Sequence, residues 1–233
     1  MADFIMDQIP FHVDEADFFK TWHVDEKAPD AFRIRKLIRE AHSLGSPKAV
    51  YKMSPVREKG PDHLIIGDVK FKSRVLSVNI GAAEQVYPFV ATCGAELERW
   101  SREFTDPIEV YWIESIKEHA LEEAVRCLSS HLREIHAAGP LSVMNPGSLP
   151  DWPLEEQKVL FALLGELTGR IEVRLMESFL MVPTKSISGI FFSSDSAFVN
   201  CQLCLKKSCP NRRAFYQAHL WNEKYGACCE KSQ

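Results

Sequence analysis

Five of the seven cysteines fall between Cys201 and Cys229, and three of them sit in the run Cys201-Gln202-Leu203-Cys204-Leu205-Lys206-Lys207-Ser208-Cys209-Pro210. Two thiolates two residues apart, with a third beyond a short basic turn, can close round one metal centre, because the intervening backbone amides point inward and stabilise thiolate charge. Three close cysteines with Pro directly after the third suit an iron–sulfur cluster such as 4Fe-4S better than a zinc finger, which has two close pairs. Structural zinc and no metal at all stay open as alternatives. The fourth ligand is expected from Cys228, or from Cys229, after a helix expected over residues 210–225. Lys206, Lys207, Arg212 and Arg213 flank the cysteines, either as an ordinary solvated face or as charges that offset the thiolates and guide an acidic partner.

Other chemistry is not signalled. There is no Gly-rich phosphate loop, no zinc-protease motif and no Gly-x-Ser-x-Gly elbow. Cys93 and Cys127 read as small buried residues, and His119, His131 and His136 as surface or helix-end residues of one long helix. A net charge of -4 and a pI near 6.1 argue against a nucleic-acid partner, which needs gathered Lys and Arg. The acids in Met1-Ala2-Asp3-Phe4-Ile5-Met6-Asp7 stand where a signal peptide would be basic and then apolar. Apolar runs such as that from Val159 to Leu164 are interrupted well short of the roughly 18 residues of a membrane span. A soluble, cytoplasmic protein without a membrane partner is expected, and cysteine crowding in that reducing compartment favours metal over disulfides.

These residues need elements to hold them. Helical spacing of Ala31, Ile34, Leu37, Ile38 and Ala41 predicts a helix from Asp30 to Leu44. Val69 with Phe71, and then Leu76, Val78 and Ile80, alternate as two half-buried strands; Gln85 to Gly94 reads as a third. A helical pattern returns from Glu96 to Phe104. Thr105 or Asp106 as N-cap and Pro107 in the first turn then open a long helix that should end near Gly139-Pro140. Leu141 to Met144 suggests a short strand leading into a turn-rich loop at residues 145–153, and a helix from Pro153 to Leu167 follows. Ile171 to Glu177 and Ser186 to Phe192 read as further strands. Strands and helices mix without a βαβ rhythm, so the fold class is α+β: a mixed, mainly antiparallel sheet with flanking helices. The expected division is a domain over residues 1–200 and a cysteine-rich segment over 201–233.

Two stretches carry a family resemblance. Glu177-Ser178-Phe179-Leu180-Met181-Val182-Pro183-Thr184-Lys185-Ser186-Ile187-Ser188-Gly189-Ile190-Phe191-Phe192-Ser193 resembles, in order and spacing, the Glu-Ser-Phe, Met, Pro, Ser-Val-Ser-Gly and Tyr-Phe-Ser pattern of the activation domain of vitamin B12-dependent methionine synthase. The region from Asn145 to Lys158 is similar to that family's Arg-Pro-Ala-Pro-Gly-Tyr-Pro loop and following helix, with Pro150, Pro153 and Lys158 in matching places. The resemblance covers about half the chain, residues 85–200.

It implies a domain that docks over the cobalamin of another protein, a corrinoid protein or methyltransferase. There the family binds S-adenosylmethionine and remethylates the cobalt after one-electron reduction. Asn145, Pro146, Gly147, Ser148, Leu149, Glu177 and Ser188 are the cofactor-facing residues it implies. The family's loop arginine falls at Met144, its Gly-Tyr at Ser148-Leu149, and its later Tyr-Tyr pair at Phe198-Val199. Loss of the charged fork makes S-adenosylmethionine a doubtful ligand here. The expected function is therefore reductive activation of a corrinoid through the cysteine cluster; S-adenosylmethionine-dependent reactivation and a docking module with structural zinc are the alternatives.

Overall fold

The computed structural model describes residues 1–136, 140–194, 198–209 and 212–225. Its strands are β1 (Ala2–Met6), β2 (Lys48–Lys59), β3 (His63–Ile66), β4 (Val69–Lys72), β5 (Gln85–Thr92), β6 (Leu141–Met144), β7 (Arg174–Leu175), β8 (Met181–Val182) and β9 (Ser186–Ser193). The helices are α1 (Glu15–Thr21), α2 (Pro29–Leu44), α3 (Arg74–Ile80), α4 (Ala95–Ser101), α5 (Pro107–His136), α6 (Gln157–Leu164), α7 (Leu167–Arg170) and α8 (Ala218–Tyr225). Seven strands form one antiparallel sheet in the order β4-β3-β2-β5-β9-β6, with β1 added on β2; β7 and β8 pair separately. This is the expected α+β class.

Both faces of the sheet are covered, so its central strands are apolar on both sides. Successive side chains of a strand alternate between faces. Val86, Val90, Ile190 and Phe192 therefore enter one core with Leu76, Leu160 and Trp152. Tyr87, Phe89, Ala91 and Phe191 enter another, against Ala124, Leu128 and Leu132 of α5. A third core gathers α1, α2, α4 and the first half of α5. Full burial of each large side chain contributes about 1.5–3 kcal/mol. The segment after residue 200 shares the first of these cores through Leu203, Leu220 and Tyr225.

Several elements differ from the sequence reading, each for a local reason. Leu76, Val78 and Ile80 belong to α3, not to a strand. The Ser73 hydroxyl accepts from the Leu76 amide at 3.0 Å, and the Asp151 carboxylate accepts from the Ser73 hydroxyl at 2.5 Å and the Val75 amide at 2.8 Å. Two polar groups thus satisfy the first turn's donors and start a helix. Over residues 171–177 only Arg174–Leu175 pairs as a strand, because Glu172 takes a left-handed φ of 58°. The helix expected from Pro153 to Leu167 divides into a 3-10 turn at Leu154–Glu156, α6 and α7; Gly165, with φ 61°, ends α6. Asp106 is the cap of α5, its carboxylate accepting from the Ile108 amide at 2.9 Å. His131 and His136 turn inward, each placing Nε2 on the Tyr51 hydroxyl, at 2.9 and 3.0 Å.

Candidate functional site

The site is built where β6 leaves the sheet beside β9. The two strands pair from Leu141↔Ser193 to Met144↔Ile190, and the chain then turns away at Asn145. The Asn145 side-chain amide donates to the Ser188 carbonyl at 2.8 Å and so ties the loop to the strand. Gly189 makes that approach possible. A β-carbon there would lie 2.5 Å from the Met144 carbonyl oxygen and 2.6 Å from the Asn145 amide nitrogen. The loop is closed on itself by the Gly147 amide, which donates to the Trp152 carbonyl at 2.8 Å, with Gly147 at a φ of 79°. Asp151 anchors its far end on α3, and Trp152 is fully buried.

The cysteine loop meets this turn. Cys201 lies in a 3-10 turn at Asn200–Gln202, and Leu203 is buried beneath it. The Arg212 guanidinium acts as an internal staple: it donates to the carbonyls of Cys201 (3.1 Å), Cys204 (3.3 Å), Ala214 (3.2 Å) and Lys206. Those contacts hold the preceding chain in turns, which is why α8 begins only at Ala218 rather than near residue 210. The Arg213 amide donates to Cys201 Sγ at 3.4 Å. Burial alone would raise the Cys201 thiol's pKa, but the Arg213 and Ala214 amides and the charges of Arg213 and Arg212 outweigh it and bring it below the usual range. The loop therefore makes this thiol easier to deprotonate than a free cysteine.

Loop, strand and cysteines open into one cleft of about 440 Å³, lined by Asn145, Pro146, Gly147, Ser148, Ser186, Ser188, Cys201, Cys204 and Cys209 among others. A neighbouring recess of about 200 Å³ shares Asn145, Ile187 and Arg213 with it and adds Arg133, Phe198 and Val199. Five of the seven cofactor-facing residues read from the sequence therefore come together. The other two do not: Leu149 is only 3% exposed and packs into the core, and Glu177 lies in an exposed turn outside the cleft. An apolar Leu beside Trp152 gains more from burial than from facing water, which removes it as a docking contact. Met144, also in the core at 1% exposure, has its sulfur 3.8 Å from the Asn79 amide nitrogen.

Gln157, Asn200, Lys206 and Arg213 also line the cleft. Gln157 and Asn200 escaped the sequence reading. A single amide on a helix or beside a cysteine has no pattern of its own, although the adjacency of Asn200 to Cys201 was a usable hint.

The three thiols have the chemistry of soft metal ligands, and all are half-buried on the cleft. Among the described residues, however, no group of three or more His, Cys, Asp or Glu side chains is placed to hold a metal ion. Cys228 and Cys229 lie outside the described residues. The three thiols line one cleft, but the convergence on a single metal ion expected from their spacing is not found among the described residues. Among the described residues, no helix is long and apolar enough to cross a membrane.

No protein-family model and no curated protein matches this sequence. Among solved structures, a crystal structure of the MetH reactivation domain bound to AdoHcy is similar: the TM-score is 0.62 over 85% of this chain and 81% of that one, at 19% sequence identity. The chain has the fold of the MetH reactivation domain. Within that fold the two stretches that carried the sequence resemblance, residues 145–158 and 177–193, meet where Asn145 is tied to Ser188 of β9.

Proposed function

We propose that this protein is an accessory of cobalamin reactivation, acting on a corrinoid carried by another protein, and that its cysteine loop delivers the electron through an iron–sulfur cluster. The observation that carries the reading is the single cleft in which the loop at 145–148, the β9 residue Ser188 and Cys201, Cys204 and Cys209 meet. Nothing in the sequence spacing required a loop and a cysteine motif more than fifty residues apart to share a surface. The ligands in this reading are Cys201, Cys204 and Cys209, with Cys228, and binding the cluster would have to draw the three cleft thiols together. Such clusters reach potentials down to about −700 mV, suited to the strongly reducing step from Co(II) to Co(I). The chain's own part is to ease deprotonation of Cys201: Arg212 fixes the carbonyls of the loop, and the Arg213 amide points at Cys201.

Anaerobic purification followed by metal analysis and an absorbance spectrum tests the cluster. A brown protein containing iron and sulfide is expected, with its visible band lost in Cys204→Ser. A colourless, metal-free anaerobic protein would sink electron delivery by a cluster.

One observation favours S-adenosylmethionine-dependent reactivation as a second reading. Met144 is buried, yet Arg133 and Arg213 bring two guanidinium groups to the recess beside Asn145, and a guanidinium is suited to a carboxylate. The similar MetH domain was solved with AdoHcy bound. Calorimetry with S-adenosylmethionine decides it: micromolar binding that is lost in Arg213→Ala supports this reading, and no heat of binding retires it.

A further inference from the structure

Across β8 from the cysteine cleft lies a second concave surface. Met181 of that strand lines the cleft, whereas Val182 and Pro183 line a separate pocket of about 470 Å³ with Arg99, Arg102, Glu172 and Arg174. Arg99 and Arg102 stand three residues apart at the end of α4, so they leave one face of the helix, and Arg174 comes from β7. Three arginines therefore share this pocket with a single carboxylate among the described lining residues.

Their existing partners leave positive charge over. Arg99 lies 3.2 Å from one Glu172 oxygen, but the Lys48 ammonium approaches the other oxygen of that carboxylate at 3.7 Å. Arg102 reaches Glu98 at 3.4 Å, yet Glu98 is already held by Lys117 at 2.9 Å and by the amide and hydroxyl of Thr184 at 3.2 and 3.0 Å. Arg174 is exposed and has no ion-pair partner among the described residues. The Arg99 and Arg102 side chains are 62% and 67% exposed, so both of their pairs are screened and weak. A concave wall dominated by one sign of charge concentrates counter-ions.

The excess fits one kind of ligand. Three guanidiniums against one carboxylate leave two positive charges, which a phosphate monoester near pH 7 answers with a charge of about −1.5 to −2. Each guanidinium is a planar fork for oxygen pairs, and a phosphoryl group turns three oxygens toward the three forks where a carboxylate has two. Val182 and Pro183 add an apolar wall for the body of the ligand. Glu172 is the competitor. Its carboxylate occupies Arg99, and its backbone is held at a left-handed φ of 58°, a conformation that Asn adopts more readily than Glu.

We propose that the pocket between α4 and the β7–β8 pair binds a phosphate monoester of a small molecule. The site stands apart from the corrinoid reading, since among the described residues it shares no lining residue with the cysteine cleft. Calorimetric titration of the full chain with glycerol phosphate at fixed ionic strength tests it, with succinate as a dianion that carries only carboxylates. Thermal unfolding of each variant runs in parallel.

Wild type is expected to bind glycerol phosphate at least about tenfold more tightly than succinate. Arg174→Ala should weaken that binding about tenfold, the worth of one charged hydrogen bond, and leave the melting temperature unchanged because the side chain is exposed. Arg174→Lys should recover only part of the loss, since an ammonium lacks the fork. Glu172→Asn should act in the opposite direction and tighten binding about threefold by freeing Arg99, with stability held. No heat with glycerol phosphate, equal affinity for succinate, an Arg174→Ala variant that binds like wild type, or a folded Glu172→Asn variant that binds more weakly would each overturn the site.

Discussion

At Gly189 the backbone of β9 passes so close to the turn after β6 that only a hydrogen fits. Its neighbours there are a carbonyl and an amide already committed to Ser188, so neither can retreat cheaply. Gly189→Ala is expected to cost about 1–3 kcal/mol, as overpacking does, and to loosen Asn145 from the strand. Denaturant unfolding checks it; an unchanged midpoint would mean that loop and strand are not coupled. Met144 teaches the opposite lesson. Alignment with a family arginine suggested a vacant binding position, but its side chain belongs to the core. Met144→Arg would bury an unpaired charge, and a loss of stability rather than a gained ligand is expected.

Among the elements, the cysteine loop is held by Arg212 more than by regular hydrogen bonding. Since the Arg212 charge also helps lower the Cys201 pKa, Arg212→Ala should move the alkylation of Cys201 by iodoacetamide to higher pH. Mass spectrometry resolves the site, and Cys93 serves as an internal control, because burial pushes that thiol up to about 12. An identical Cys201 profile in the variant would remove Arg212 from the account.

Helix α2 carries a separate acid-sensitive joint. His42 Nε2 accepts from the Val13 amide at 2.8 Å, and burial, followed by the nearby His12, lowers its pKa from the usual 6.5. A depressed pKa in the folded state means that its contribution is complete above pH 6.5 and is lost as pH falls below it. Hydrogen exchange should show Val13 protection declining below pH 6.5, and flat protection down to pH 5 would contradict this.

Over the whole molecule, the C-terminal helix is bound into the main core. Tyr225 is fully buried, and its hydroxyl donates to Asn79 Oδ1 at 2.9 Å; Asn79 in turn donates to the Val75 carbonyl at 2.8 Å. Removing the ring in Tyr225→Ala should cost about 3–5 kcal/mol, whereas Tyr225→Phe, which strands only the hydrogen bond, should cost about 1–3 kcal/mol. Because α8 follows the cysteine loop, Tyr225→Ala should also speed alkylation of Cys204. If stability drops without that change, helix docking and loop order are independent.

The sequence by itself determined the elements whose signals are local. Asp106 and Pro107 start α5, the apolar repeat of α2 fixes its buried face, and the apolar runs of β5 and β9 mark strands. It also marked the three cysteines as chemistry-bearing, because thiols are rare enough to stand out, whereas the loop at 145–149 was picked out by the family resemblance and not by its spacing. Tertiary structure decided the rest. Whether residues 74–80 became a strand or a helix depended on a carboxylate from Asp151, more than seventy residues away. Leu149 and Met144 could not be assigned inward from spacing alone, since the partners that bury them arrive from other elements. That Gln157, Ser188 and Asn200 line one cleft with the cysteines follows from the packing of α6, β9 and the last turn, long-range contacts that leave no period or motif in the chain.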